Sequence, residues 1–439
     1  MFLLPIAVGT LFQQFYSTVD AIIVGQFVGS DALAAVGGSA AMITQLVVGV
    51  FTGLASGATV VIAHGYGAED RTKLTRAVHT AIAFSMVAGA VITVAGILLT
   101  PSALVWTKNP QEIMGDSIFY LRLYFVGTIP MLVFNMGSGI LRAVGDSRRP
   151  LYYLVICCLL NIVLDLLFVA GFHMGVAGAA VATTLANLVS ALLILGQLAR
   201  STEGYRLVVR NIRIHGATLV HILGIGVPAA IESAMYAVSN LLIQVPINEL
   251  GTDSVAAWSA TSKVDGIYWS LIISFGVAIM AFVGQNYGAG KYDRMKASVR
   301  VCLAIALVMT VVLSVLLLVF AKYCFRIFTD NPQVIHYATQ VVSYFVPFYF
   351  IWTFIEVIAN ALRGAGDALV PMLISVGGIC GFRILWIVLV VPHWSSLLGI
   401  AICYPISWLI TAVILILYYR KGRWLNHVPV EHPAEPSRS

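Results

Sequence analysis

Two acidic side chains stand inside stretches that are otherwise almost entirely apolar. Asp165 shares the stretch 157–169 with Asn161, and Asp20 lies in the first apolar stretch of the chain. Asn161 and Asp165 are four residues apart, so a helix places them on one face. An acid at the centre of a membrane helix costs roughly 2.5–3.5 kcal/mol on insertion scales. The pair is therefore either a contact between helices or part of an ion site.

The composition is that of a polytopic membrane protein. Of the 439 residues, 60% are hydrophobic and 10% are charged, and the mean hydropathy is +0.94. A soluble domain has about 25% charged residues. The net charge of +6 fits basic loops that orient membrane spans, so we predict no nucleic-acid partner. The six cysteines show neither metal-type spacing nor a disulfide framework.

The apolar stretches predict an all-α fold. Each is long enough for a span of about 20 residues, and backbone groups in lipid must be satisfied within a helix. We count twelve spans, near 2–24, 38–64, 76–100, 118–141, 151–171, 176–198, 219–248, 255–284, 299–321, 338–361, 370–392 and 398–419.

Basic residues concentrate in the loops that follow even-numbered spans and in the C-terminal tail. The positive-inside rule then predicts that both termini of this multi-pass protein are cytoplasmic. These residues are Arg71, Lys73, Arg76, Arg142, Arg148, Arg149, Arg200, Arg206, Arg210, Arg213, Lys291, Arg294, Lys296, Arg300, Arg363, Arg420, Lys421, Arg423 and Arg438; the opposite side has Lys108, Arg122, Lys322 and Arg326.

The two halves of the chain repeat each other. Because six spans separate the copies, we expect two six-helix bundles related by a pseudo-twofold axis along the membrane normal, as in transporters. The predicted domains are an N-terminal bundle at 1–198, a cytoplasmic linker at 199–218, a C-terminal bundle at 219–419 and a cytoplasmic tail at 420–439. The repeated motifs are Leu-Arg-x-x-Gly-Asp at 141–146 and 362–367, Tyr-Gly-Ala at 66–68 and 287–289, and Thr-x-Asn-Pro-Gln at 107–111 and 329–333.

The first two of these motifs, together with Pro5, Asp20, Gly25 and Gly29, resemble those of the multidrug and toxic compound extrusion (MATE) family. The resemblance covers nearly the whole chain and implies a twelve-helix exporter that works by cation antiport. It further implies that Asp20 faces Asn161 and Asp165, that Thr183 completes the cluster, and that Pro5 is associated with bending of the first helix.

The residues themselves support a polar cluster in the first half. Polar side chains follow one face of the first span (Gln13, Tyr16, Ser17, Asp20) and one face of the sixth (Thr183, Asn187, Ser190). Hydrogen bonds between helices are the plain alternative. Burial and mutual repulsion favour a protonated or cation-bound form of the two acids. We predict coupling to Na⁺ or H⁺ at Asp20, Asn161, Asp165, Thr183 and Asn187, with Asp20 and Asp165 as possible Na⁺ ligands.

The second half carries different acids. An acid flanked by aromatic rings suits a lipophilic cation. A pair with Lys263 or Arg383 is the alternative role for Asp265. The predicted substrate cavity comprises Gln13, Tyr16, Glu232, Tyr236, Asp265, Trp352 and Glu356.

The repeat indicates that this chemistry is not duplicated. Glu356 corresponds to Asn135, Arg383 takes the place of Asn161, and Asp20 and Asp165 have no acidic counterparts.

The prediction is a secondary exporter, not an enzyme, that exchanges organic cations or amphipathic drugs for Na⁺ or H⁺ by alternating access. It would act as a monomer in the bilayer and without a cofactor, and the glycine-rich loops lack a nucleotide-binding Gly-Lys-Ser or Gly-Lys-Thr. A lipid-linked oligosaccharide flippase of the same superfamily would need more intramembrane bases. A membrane-embedded transferase would need an Asp-rich or His-rich loop.

Overall fold

A computed structural model describes residues 2–107, 109–327, 329–422 and 424, without the side chains of Ser17, Ala21, Ser30, Asp31, Leu33 and Ala34. The predicted loop charges Lys108 and Arg423, and the tail from 425 onward with Arg438, lie outside the described residues. In chain order the α-helices are α1 (Leu3–Phe27), α2 (Ser30–Gly37), α3 (Ser39–Gly67), α4 (Arg71–Trp106), α5 (Met114–Val126), α6 (Thr128–Ala143), α7 (Arg148–Asp165), α8 (Gly175–Arg200), α9 (Gly216–Glu249), α10 (Thr252–Gly288), α11 (Tyr292–Arg326), α12 (Pro332–Phe345), α13 (Tyr349–Gly364), α14 (Leu369–Ser375), α15 (Phe382–Leu389), α16 (Leu397–Ala401) and α17 (Cys403–Lys421).

Every predicted span coincides with one of these helices or with a consecutive pair. Within the described residues, ten helical segments are long and apolar enough to cross a membrane, and the pair α5–α6, bent by 46°, makes an eleventh. The remaining helix, α1, has 25 residues. It is about 37 Å long at 1.5 Å per residue, enough to cross a hydrocarbon core of about 30 Å. Its polar residues, such as Gln13 and Asp20, lower its hydropathy. The predicted all-α fold is confirmed.

Local sequence signals explain several helix ends. Asp70 caps α4 by accepting a hydrogen bond from the backbone N–H of Lys73 at 2.9 Å. Asn331 caps α12, and Pro332 is the first residue of this helix. Proline is favourable there because the N–H groups of a first turn make no hydrogen bond within the helix. α17 ends at Gly422, whose φ of +67° is left-handed.

Two spans contain a wider π-helical turn. Leu166–Gly171 continues α7 directly after Asp165, and Val376–Gly381 joins α14 to α15 just before Arg383. π-helical turns are rare and occur frequently at functional sites. In each half of the chain, a buried polar side chain therefore lies beside such a turn.

Each half has its own hydrophobic cores, although the first-half core around Phe51 also includes Ile222 and Ala230 of α9. The second half is built around one large aromatic core, and the first half around two smaller cores. Fully or almost fully buried members are Tyr349, Trp408, Phe325 and Tyr287 in the second half, Phe51, Leu132 and Met136 in one core of the first half, and Leu121 and Leu104 in the other.

The two bundles meet along a seam of close backbone contacts between α3 and both α9 and α10. A methyl group added at Gly57 would meet the backbone of Ile222 and would lie 2.6 Å from Gly226 N, and one added at Gly53 would lie 2.5 Å from Ala230 Cα. Small residues allow membrane helices to approach this closely. The seam therefore requires glycine at these positions.

Polar contacts extend the seam to the helix ends that carry the basic loops. The ring nitrogen Nε2 of His64 lies 2.8 Å from Gly364 O, and Gln285 Nε2 donates to Ala143 O at 2.7 Å. Both contacts join residues of the first half to residues of the second. The bundles are thus held together at the basic-loop end.

We expect Gly57→Ala to destabilise the protein by about 1–3 kcal/mol, because the added methyl group overpacks the contact with α9. Thermal unfolding of the purified protein in detergent measures this. Gly224→Ala is the matched control, since a Cβ at Gly224 meets no atom within 4 Å. Equal stability of the two variants would contradict a tight seam.

Candidate functional site

Three polar side chains meet inside the first bundle. Asp20 on α1 faces Asp165 on α7 closely enough for the two carboxyl groups to act on each other electrostatically. Asn161 lies one turn before Asp165, and these two side chains are 1% and 0% exposed, whereas Asp20 is half-buried. The structure therefore brings together the acids that the sequence places on separate spans.

The sixth span supplies a hydroxyl group to this cluster. Asn161 Nδ2 donates a hydrogen bond to Thr183 Oγ1 on α8 at 3.4 Å. Asn187 lies four residues further along α8 and is half-buried. Thr183 thus contacts the cluster directly, and Asn187 extends the same helix face.

Four oxygen atoms of the cluster are buried and find no hydrogen-bond partner within the described part of the chain. They are Asp20 Oδ1, Asn161 Oδ1, Asp165 Oδ1 and Asp165 Oδ2. Leaving a buried acceptor unsatisfied costs about 1–3 kcal/mol, and more when the group is charged. Oxygen ligands suit a hard cation such as Na⁺, and a shared proton would also reduce the repulsion between the two carboxylates. The described residues contain no group of three His, Cys, Asp or Glu side chains suited to a metal, so a Na⁺ ion would also need the amide and hydroxyl oxygens.

Tyrosines that the sequence analysis did not single out surround this cluster. Tyr120 on α5 is 8% exposed and lies within electrostatic reach of both Asp20 and Asp165. Its ring stacks with that of Tyr124 at a centroid distance of 6.3 Å. The spacing of Ser117, Tyr120 and Tyr124 along one helix face is the signal that could have found them.

The other predicted residues of α1 take different positions. Tyr16 lies within electrostatic reach of Asp20, whereas the side chain of Gln13 is exposed. Pro5 lies in the first turn of α1. A proline in a first turn removes no helical hydrogen bond.

Glu232 on α9 is the acid of an internal ion pair. Its Oε2 accepts from Arg363 NH2 at 2.5 Å, and its Oε1 accepts from the hydroxyl of Tyr236 at 3.2 Å. The corresponding side chains of Arg363 and Glu232 are only 14% and 5% exposed. The prediction that Arg363 is a loop charge is therefore wrong, because α13 carries it into the bundle.

Arg142, the repeat counterpart of Arg363, is also partly buried within a helix. It lies in α6 and is half-buried, and its Nε atom is buried without a partner among the described residues. The predicted loop position is wrong here too. Unlike Arg363, it forms no ion pair among the described residues, and position 11, the counterpart of Glu232, is a leucine.

Glu356 on α13 has an amide partner. Its Oε1 accepts from Asn360 Nδ2 at 2.8 Å, and Asn360 Oδ1 in turn accepts from Arg363 NH1 at 3.3 Å. A methyl group at Gly276 on α10 would collide with the same Oε1 atom. Glu356 is thus linked to the Glu232–Arg363 ion pair and packed tightly against α10.

Asp265 on α10 stands in an aromatic core. It is 6% exposed, lies within electrostatic reach of Tyr349, and has an Oδ1 atom without a hydrogen-bond partner in the described residues. Trp269 and Trp352 belong to the same core, with ring centroids 5.0 Å apart. The aromatic environment predicted for this acid is present.

The structure forms neither of the two ion pairs considered for Asp265. Lys263 is exposed. The buried guanidinium of Arg383 instead lies 3.8 Å above the ring centroid of Tyr404, and its NH1 contacts Asn240 Oδ1 at 3.4 Å. Among the described residues, Asp265 has no salt-bridge partner.

The fold and the site define a class: a polytopic helical membrane protein with two bundles, whose first bundle holds an acid pair without a neutralising partner in the described residues. Comparison with known proteins then identifies the family. The MatE family model matches residues 5–167 and 228–391. The chain belongs to the MATE family of transporters.

Individual relatives align with most of the length of this chain. The probable multidrug resistance protein YoeA of Bacillus subtilis is 26% identical over 429 residues, which cover 96% of this chain and 92% of that protein. The probable multidrug resistance protein NorM of Thermotoga maritima is 26% identical, over 84% of this chain and 80% of that protein. A solved outward-facing structure of a multidrug resistance MATE family transporter has a TM-score of 0.88, with 22% identity, and covers 97% of this chain and 95% of that one.

We expect Glu232→Gln to lower the free energy of unfolding by about 3–5 kcal/mol, because it removes the carboxylate that is hydrogen-bonded to the buried guanidinium of Arg363. Denaturant or thermal unfolding in detergent measures the loss. Glu356→Gln is the control, with an expected loss of about 1 kcal/mol or less, because a glutamine oxygen still accepts from Asn360. If the two variants lose equal stability, the Glu232–Arg363 ion pair does not have this structural role.

Proposed function

We propose that this protein is a secondary active multidrug exporter that exchanges its substrate for Na⁺ or H⁺. The observation that carries the proposal is the set of four buried, unpartnered oxygen atoms on Asp20, Asn161 and Asp165. In a low-dielectric interior, two facing carboxylates need a proton or a cation between them. A site that the described part of the chain leaves unneutralised is one that a mobile ion can fill and vacate.

Helix α1 provides a physical connection from this ion site to the other bundle. One end of its polar face reaches Asp165 in the first bundle. Further back along the helix, Thr10 Oγ1 donates to Ser270 O on α10 at 3.0 Å and contacts Ser274 Oγ at 2.9 Å. A shift of α1 on ion binding would therefore act on both bundles.

Alternating access would consist of rocking between the two bundles. The moving units would be residues 1–198 and 219–419, joined by the linker at 199–218. The contacts of His64 with Gly364 and of Gln285 with Ala143 support a state that is closed at the basic-loop end. Coupling requires that the ion and the substrate bind the two arrangements with different affinities.

The basic loops would face the cytoplasm, because cytoplasmic loops of membrane proteins carry an excess of Lys and Arg. The described loop charges that remain after the correction of Arg142 and Arg363, such as Arg148, Arg149 and Arg210, still favour that side. Both termini would then be cytoplasmic, in the inner membrane of a bacterium. The protein would act as a monomer.

The substrate would be an organic cation or an amphipathic drug. Two of the relatives are named as probable multidrug resistance proteins. Glu356 and the rings of Tyr236 and Trp352, whose centroids are 5.9 Å apart, offer charge and cation–π attraction. Glu232 would influence the substrate only indirectly, through Arg363 and Tyr236, since both of its carboxylate oxygens already accept hydrogen bonds from these residues. The substrate would reach Asp265 only after the surrounding aromatic rings rearrange. Gln13 and Tyr16 on α1 would line the substrate path.

In proteoliposomes, we expect an imposed Na⁺ or H⁺ gradient to drive transport of a lipophilic cation such as ethidium. Each gradient is applied separately, with the membrane potential clamped, and substrate movement is followed by fluorescence. The gradient that drives transport identifies the coupling ion. Failure of both gradients would reject the antiport proposal.

We expect Asp165→Asn and Asp20→Asn each to reduce gradient-driven transport at least tenfold, because a neutral amide cannot release a proton or balance a cation. Initial rates in proteoliposomes with equal protein content measure the effect. Asp116→Asn is the matched control, since Asp116 is exposed and outside the cluster, and its rate should equal that of the wild type. Wild-type rates in both cluster variants would place the coupling site elsewhere.

A further inference from the structure

A basic cavity lies between the start of α4 and the linker that connects the two bundles. Its volume is about 480 Å³, and four arginines line it: Arg71 and Arg76 from α4, and Arg210 and Arg213 from the linker. His79 and His215 complete the wall. The cavity has no part in the ion site or in the substrate path, so it needs a separate explanation.

The positive charge of the cavity is not neutralised within the described part of the chain. No carboxylate lines it, and none of the four arginines forms an ion pair there. The nearest acid along the chain, Asp70, accepts the Lys73 N–H and lies 3.9 Å from Lys73 Nζ. Burial, and then the positive charges of Arg213 and Arg76, lower the pKa of His215. The cavity is therefore a concentrated site of positive potential.

The wall of the cavity is an ordered part of the fold. Thr75 Oγ1 donates to Gly204 O at 3.0 Å, and the N–H of Val208 donates to His79 Nε2 at 3.1 Å. The N–H of His215 donates to Thr80 Oγ1 at 3.2 Å. Loop charges that only orient a membrane protein need no such framework. Here three hydrogen bonds hold the linker against α4 and set the arginines opposite one another.

The surroundings of the cavity are apolar and exposed. Val209 is 73% exposed and Val220 is 71% exposed, and Val208 and Ile214 are also exposed. Aliphatic side chains beside arginines at the end of a membrane bundle suit the boundary between headgroups and acyl chains. A ligand with a phosphate group and acyl chains would contact both features.

We propose that this cavity binds the phosphate group of an anionic ligand, with a membrane phospholipid as the source that the exposed aliphatic residues favour. The guanidinium group presents a planar fork of donors that matches phosphate oxygens in pairs. Basic pockets at the cytoplasmic ends of membrane helices bind anionic headgroups in this way. Because Arg210 and Arg213 belong to the linker between the bundles, a bound headgroup would fasten the linker to α4.

The test measures binding of phosphatidylglycerol to the delipidated full-length protein by native mass spectrometry, with phosphatidylcholine of the same acyl chains for comparison. The variant Arg76→Gln/Arg213→Gln should bind phosphatidylglycerol about 30-fold more weakly, since each basic residue contributes about fivefold. The control Lys296→Gln/Arg300→Gln removes the same charge from exposed positions on α11 and should bind like the wild type. Equal binding by both double variants would overturn the proposal.

A second arm distinguishes the source of the phosphate. Inorganic phosphate at millimolar concentration should neither displace phosphatidylglycerol nor raise the unfolding temperature if the ligand is a lipid. Displacement by phosphate, lost in the Arg76→Gln/Arg213→Gln variant, would instead identify a free phosphate compound as the ligand. Should that variant fail to fold, Arg213→Lys keeps the charge but loses the fork and should weaken lipid binding severalfold. An unchanged affinity of Arg213→Lys would then overturn the proposed guanidinium contact.

Discussion

The neutralisation of ionisable groups inside apolar helices is the constraint on which the rest of this structure depends. A lone carboxylate in a membrane bundle is unfavourable, so it needs a counter-charge, a hydrogen-bond donor or a proton. The chain supplies Arg363 to Glu232 and the amide of Asn360 to Glu356. Within the described residues it supplies no such partner to Asp165. The acids that the chain satisfies lie in the second bundle, and the acid without a partner in the described residues belongs to the ion site that we propose.

The duplicated fold allows the buried polar positions of the two bundles to be compared directly. Arg383 occupies the repeat position of Asn161, and Tyr404, 221 residues after Thr183, occupies the position of that threonine. In the first bundle these positions form an amide–hydroxyl contact beside two acids. In the second, the guanidinium of Arg383 stacks on the ring of Tyr404. The guanidinium of Arg383 thus occupies the position at which the first bundle has buried oxygen atoms without partners in the described residues. The two bundles share a backbone arrangement but differ in their buried charged groups.

In the proposed exporter, helix α1 and the seam between the bundles would link the ion site to movement of the two bundles. α1 carries Asp20 into the first bundle and contacts α10 of the second through Thr10. The seam between α3 and α9 depends on glycines such as Gly57, because backbone atoms occupy the space that a side chain would need. Small residues at such positions allow the helices of the two bundles to approach each other closely.

The sequence by itself determined the membrane class, the twelve helices and their duplication, because long apolar runs have only one stable backbone solution in lipid. It also identified Asn161 and Asp165, because an amide and an acid four residues apart are conspicuous in an apolar helix. It did not identify Tyr120, the Glu232–Arg363 ion pair or the cavity between Arg76 and Arg213. In most of these spans nearly every face is apolar, so periodicity does not show which face meets protein and which meets lipid. Arg363 lies beside a Gly-Asp turn and looks like a loop charge in the sequence. Only the tertiary structure decided these pairings, since each depends on the rotation of helices that are distant in the chain and packed together by the whole bundle.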